Sequence, residues 1–270
     1  MIGDVMRAEA EKLRRDGRLL FWGFLSVPCA FFLFQLAAML FFRAAVVVDV
    51  SHVDGVRDLS HALGIGGNLL AEIFLAGGAA GLMAGDYRWE TWRYIVPRSG
   101  RTALIAGKVL VFVLAVAAVV CLVGLAAVVL GFLEAGLWRH PMPRFDGLAT
   151  ALVPLAAAFL ASVLKVAIWG ALAALLAVIT RSPLATLSSV SLIIVIEAVT
   201  AGRLSIEHLS PLQQLAVPSL AVEMLLNWSV GSGGADGIWP LLAPLSLAGM
   251  AVLLAAAAAV LFHWQDLARE

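Results

Sequence analysis

The stretch GDYRWETWRYIVPRSGRTALIAGK, residues 85–108, is a polar island between two long apolar runs. Its position sets the frame for the whole chain. Over the whole chain, 62% of residues are hydrophobic, only 13% are charged and the mean hydropathy is +0.99, a composition that leaves no hydrated surface for a soluble domain. The sequence therefore predicts an all-α membrane protein, a single transmembrane domain over residues 1–270. Six spans of roughly 20 apolar residues each are needed to cross ~30 Å of hydrocarbon. They are expected near 19–42, 62–85, 103–133, 148–180, 184–201 and 240–262. The first is too long, and too far from the start, for a cleaved signal segment, and is expected to stay as an anchor.

Lys and Arg balance Asp and Glu at 18 each, so there is no basic excess to recruit nucleic acid, and the distribution of charge carries the information. The segments preceding span one, between spans two and three, between four and five, and after six hold twelve Lys and Arg; the alternate segments hold five. This bias predicts both termini in the cytoplasm. Trp22, Trp89, Trp92 and Trp264 fall near the inner boundary and Trp138, Trp228 and Trp239 near the outer one, where amphipathic rings collect. Cys29 and Cys121 lie within apolar runs and read as small buried hydrophobes.

Residues 1–18 predict an interfacial helix, with Ile2, Val5, Met6, Ala10 and Leu13 on an apolar stripe. In the island, Asp86 can cap a short helix whose apolar stripe is Trp89, Trp92, Ile95 and Val96, and Pro97 ends it before the turn at Arg98, Ser99 and Gly100. Arg88, Glu90 and Arg93 would then face a soluble partner. On physical grounds alone, the same residues also fit an ordinary positively charged loop with interfacial tryptophans.

The order Asp86, Tyr87-Arg88, Thr91, Tyr94 to Val96, Pro97, Arg98, Arg101 and Gly107-Lys108 resembles the loop after the second span of ABC-2-type exporter permeases; Glu90 stands where members commonly carry Gly. The resemblance covers about 24 residues in motif and the whole chain in outline. It implies a coupling segment at 86–102, with Asp86, Tyr87, Arg88, Trp89, Glu90, Thr91, Arg93, Pro97 and Arg98 seated against two copies of a cytosolic ATPase subunit. It also implies a second permease, expected to be a copy of this chain, in a bacterial inner membrane. ATP and Mg belong to the partner, since no G-x-x-x-x-G-K-[ST] loop is present here and no cofactor is expected in this chain.

Glu72, Lys165 and Glu197 are ionisable groups inside spans, each costing at least ~2.5–3.5 kcal/mol to insert. All three fall about 20–22 Å from the inner ends of their spans. They fit either a cluster joining spans two, four and five or contacts in a translocation path. Gly77, Gly78 and Gly81 offer a small-residue packing face, Pro28 and Pro154 mark kinks, and residues 202–239, punctuated by Pro211 and Pro218, fit either short helices dipping into the outer leaflet or a loop resting on the outer surface.

Two other function classes remain. An ion-coupled secondary transporter would use Glu72 and Glu197, but the two halves of the chain show no clear repeat. An intramembrane enzyme ranks lower, because His52, His61, His140, His208 and His263 are scattered, and no metal site or nucleophile elbow is legible.

Overall fold

A computed structural model describes residues 2–42, 54–88, 100–138, 142–145, 147–204, 209–230 and 237–265. Every regular element among them is helical, apart from an isolated bridge pairing Asp54 with Arg144. Helix α1 is Ile2–Arg15, with Asp4 in its first turn and Lys12, Arg14 and Arg15 in its last, signs that suit the helix dipole. The carboxylate of Asp16 then accepts the Leu19 amide at 3.1 Å and starts the next helix.

Among the described residues, six helical segments are long and apolar enough to span a membrane. The first comprises α2, Gly17–Leu20, a π turn at Phe21–Leu25 and α3, Ser26–Phe42. Pro28 cannot supply the amide that the Phe24 carbonyl would otherwise accept, and the chain widens into the π turn just before it. The remaining spans are α5, Leu69–Arg88; α6, Arg101–Trp138; α7, Leu148–Thr180; α8, Pro183–Arg203; and α11, Trp239–Trp264. Between the first and second spans lies α4, Gly55–Leu63, and between the fifth and sixth lie α9, Pro211–Ala216, and α10, Pro218–Val230. The fourth span matches its expected limits, and the fifth and sixth agree within two residues at each end.

The second span does not begin at residue 62. The apolar run there is interrupted by the tight turn Gly64–Gly67, and Asn68 restarts the chain by accepting the amides of Leu70 and Ala71 at 3.1 and 3.2 Å. Residues 55–63 form the separate helix α4, which hydropathy alone merged with the span. The turn is held from the side: Ser162 on α7 accepts the Gly66 amide at 3.1 Å and donates to the Leu63 carbonyl at 2.6 Å.

Helix α7 is the centre of the bundle, packing on α4, α5, α6, α8, α10 and α11. Its buried face is rich in Ala and includes Gly170, which lets neighbouring helices come close in a medium where hydrophobic burial gives no advantage. At Gly170 a Cβ would sit 2.3 Å from the Phe112 ring, so α6 packs directly on backbone there. The first two spans cross in the same way. A Cβ on Gly78 would lie 2.5 Å from the Gly23 carbonyl oxygen, and one on Gly81 would lie 2.4 Å from Leu19, whereas Gly77 meets only Leu187, at 3.8 Å. Cys29 and Cys121 are exposed rather than buried. Apolarity in a lipid-embedded chain signals lipid as readily as it signals a protein interior.

Spans two, four and six end at the face of the bundle where α1 packs, hereafter the near face, while α4 and the α9–α10 pair lie at the far one. The two outer helices each begin with proline at the first helical position, where its missing amide costs nothing. The contact of Ser219 with Glu197, about 9 Å along α8 from the end at Arg203, seats the start of α10 below the far end of the fifth span.

The helix crossing gives a sharp expectation. Gly78→Ala should destabilise the protein by about 1–3 kcal/mol through overpacking against Gly23, while Gly77→Ala should be neutral or gain up to about 1 kcal/mol of helix propensity. Thermal unfolding followed by circular dichroism in detergent would distinguish the two.

Candidate functional site

The near face is organised by one buried ammonium. Gly107 on α6 has no side chain where Val5 of α1 approaches, and a Cβ there would lie 2.6 Å from Val5 Cγ1. That close contact puts the next residue, Lys108, beneath α1. Its Nζ lies 3.0 Å from Glu9 Oε2, 2.7 Å from Asp86 Oδ2 and 2.9 Å from the Leu82 carbonyl, so acceptors stand in reach of all its protons. Lys108 and Asp86 are fully buried and Glu9 nearly so. The half-exposed Lys12 also pairs with Asp86. Two carboxylates and two ammonium groups from α1, α5 and α6 therefore balance.

This network places a charge on the protein-facing side of α1. The buried positions are Val5, Glu9 and Leu13, while Ile2 and Ala10 are exposed. The helix rests on protein through a stripe that includes a charge, because Lys108 requires a counter-ion inside the bundle. An apolar stripe drawn for a lipid surface passes over Glu9.

The polar island that starts at this network is anchored at both ends. Tyr87 donates to Gln265 Oε1 at 3.1 Å, and the Gln265 amide donates to the Val178 carbonyl at 2.9 Å, at the end of α7. On the return side, Arg101 donates to the carbonyls of Phe262, His263 and Gln265 at 3.0, 2.6 and 2.7 Å, and its guanidinium lies over the Phe262 ring. A cation on the free carbonyls at the end of α11 meets the negative pole of that helix. Of the island residues singled out from sequence, Asp86 and Tyr87 are thus fixed within the fold. Arg88 ends α5, and Trp89, Glu90, Thr91, Arg93, Pro97 and Arg98 lie outside the described residues.

A second cluster unites the three intramembrane charges. Lys165 Nζ lies 2.5 Å from Glu72 Oε1 and 4.0 Å from Glu197 Oε2, and Trp169 donates to Glu72 Oε2 at 2.9 Å. Glu197 accepts the Ser219 amide at 2.8 Å and its hydroxyl at 2.9 Å, so a side chain of α8 satisfies a free amide at the start of α10. Because α5 begins at Leu69, Glu72 occupies the first turn of its helix, where a carboxylate is favoured by the dipole. The cluster lies toward the far half of the bundle and joins α5, α7, α8 and α10.

Sequence reasoning singled out Asp86, Tyr87 and Arg101 but did not connect Asp86 with Lys12, Lys108 with Glu9, or Tyr87 and Arg101 with Gln265. One signal was available: Lys108 stands inside an apolar run and needs an acid, and Glu9 lies four residues from both Val5 and Leu13. No protein-family model and no curated protein matches this chain.

Each cluster gives a measurable expectation. Lys108→Met leaves two buried carboxylates with only the half-exposed Lys12 and should cost about 3–5 kcal/mol, against about 1 kcal/mol or less for Lys12→Gln at the solvent edge. Denaturant titrations in detergent would measure both. Lys165→Met should sharply reduce the yield of monodisperse protein in size-exclusion chromatography, with partial recovery in Glu72→Gln/Lys165→Met because one of the stranded carboxylates is removed.

Proposed function

We propose that the chain is the permease subunit of an ATP-driven exporter of the ABC-2 type, and that the island at 86–102 receives force from a separate ATPase. The observation that carries this reading is the mounting of the island. Its leading end leaves the Glu9–Lys108–Asp86–Lys12 network and its returning end, at Arg101, is clamped to the end of α11. A push on such a segment moves α1 and spans two, three and six together, because buried ion pairs and multiple hydrogen bonds resist independent displacement.

In this reading two cytosolic ATPase subunits bind ATP and Mg, and a second copy of the chain completes the pathway. The host membrane is a bacterial inner membrane with both termini cytoplasmic, which makes the near face cytoplasmic, in keeping with the twelve-to-five bias of Lys and Arg. Outward direction follows from the resemblance to exporter permeases. The lightly covered apolar flanks of α8 and α11, including Leu192, Ile196 and Leu253, fit lipid or the second copy.

The ion-coupled reading has one observation in its favour. Glu72, Lys165 and Glu197 bring two carboxylates to one ammonium, a surplus that a transported proton or cation would neutralise. Against a primary role in coupling, both carboxylates are engaged in contacts between helices.

A charge exchange separates the readings. Glu90→Arg/Arg93→Glu should leave insertion and folding intact while abolishing copurification with the ATPase and the stimulation of its hydrolysis. Unchanged ATPase stimulation would remove the island from the force path. Transport at full rate by the chain alone, driven by an ion gradient in proteoliposomes, would establish the second reading instead.

A further inference from the structure

We infer that two copies of the chain pair across a twofold axis along α3, with Gln35 of each copy hydrogen-bonded to Gln35 of the other. Gln35 is an amide in the wrong solvent. The first span passes the near boundary at Trp22, which is exposed there, and about 20 Å of helix separates Trp22 from Gln35. About 10 Å then remains before α3 ends at Phe42. In ~30 Å of hydrocarbon that depth is beyond the reach of water and headgroups. Gln35 is nevertheless exposed, and it has no hydrogen-bond partner among the described residues. A carboxamide with two donor protons and an acceptor oxygen is strongly disfavoured when left unpaired in lipid.

Other exposed polar groups of the spans are satisfied within their own helix. Ser188 and Thr200 on α8 donate to the carbonyls of Leu184 and Ile196, one turn back, at 2.9 and 2.7 Å. The exposed apolar side chains of α8 and α11 are content in hydrocarbon and call for no protein. Gln35 differs from both groups, and lipid tails offer it nothing. A second Gln35 does, because a carboxamide donates and accepts at once, so two identical amides facing each other satisfy one another reciprocally, as a twofold contact demands.

The surroundings of Gln35 suit a helix laid alongside. Phe31, Phe34, Gln35 and Ala38 share one wall of a cleft of about 880 Å³ between α3, α4 and α6, and their spacing of three and four residues is that of a helix–helix seam. Phe34 is 74% exposed beside an open cleft, so each copy has an aromatic ring to offer and a cavity to receive one. Ala38, one turn beyond Phe34, is small enough for the two backbones to come close.

The pairing rests on the second copy proposed above and names where it touches. It is measured without an ATPase, so loss of ATPase copurification would refute the exporter reading and leave the α3 contact standing. Chains labelled with donor or acceptor dyes are diluted in lipid in proteoliposomes, and energy transfer gives the dimer dissociation constant. Gln35→Leu should raise that constant about five- to tenfold, and Gln35→Asn, which keeps the carboxamide, should recover part of the loss. The thermal midpoint of Gln35→Leu should equal or exceed that of the parent, because an exposed Leu suits lipid. Position is read by copper-phenanthroline oxidation in a Cys29→Ala/Cys121→Ala background. Ala38→Cys, on the cleft wall, should give a covalent dimer. Leu33→Cys, exposed but turned about 160° from Gln35 around the helix, should not. A monomeric parent, unaltered energy transfer in Gln35→Leu, or cross-linking at Leu33→Cys as strong as at Ala38→Cys would overturn the assignment.

Discussion

An ammonium group that has no water must find its acceptors in the protein, and Lys108 meets that demand at the junction of three helices. The constraint is severe because each ionised group withdrawn from water forfeits several kcal/mol of hydration. Much of the near face follows from it. Gly107 must be small for α1 to come within reach, Glu9 must break the apolar stripe of α1, and α5 must continue to Asp86 before the chain turns away. The outcome is a charge-neutral knot in which an otherwise peripheral helix becomes part of the bundle.

The far half solves a related problem differently. Lys165 accompanies two carboxylates, and the surplus negative charge is spread over the Trp169 indole, the Ser219 hydroxyl and a backbone amide. Two of those donors belong to Ser219 of α10, whose first turn has free amides that need an acceptor. Glu197 thus serves two elements at once, and the outer helices gain a polar foothold beneath the end of the fifth span. Small residues on α7 supply the remaining cohesion through close backbone approach, as at Gly170 against Phe112.

The spans themselves were legible because a bilayer imposes both length and apolarity, and α7 runs as expected from Leu148 to Thr180. Depth was legible too, since counting residues placed Glu72, Lys165 and Glu197 at one level and they do meet. What composition could not reveal was orientation about each helix axis. Lipid and protein interior favour the same side chains, so Cys29 and Cys121 read as buried and lie exposed, and the stripe on α1 was drawn past Glu9. The boundary at α4 was obscured for a similar reason. Residues 62–68 are apolar or small enough to join the span, and only the glycines and Asn68 mark the break. The pairing of Arg101 with α11 left no trace in local pattern, because it joins positions more than 160 residues apart.

The Arg101 clamp also bears on the order in which the protein is made. A ribosome delivers spans from the N-terminal end, so α5 and α6 enter the membrane well before α11 has been translated. Throughout that interval the guanidinium lacks the three carbonyls it finally holds, and the Tyr87 hydroxyl lacks Gln265. The hairpin of spans two and three therefore matures late, fastened by a helix that arrives after it. Nascent chains halted before the sixth crossing would present an unlatched polar segment to quality-control proteases.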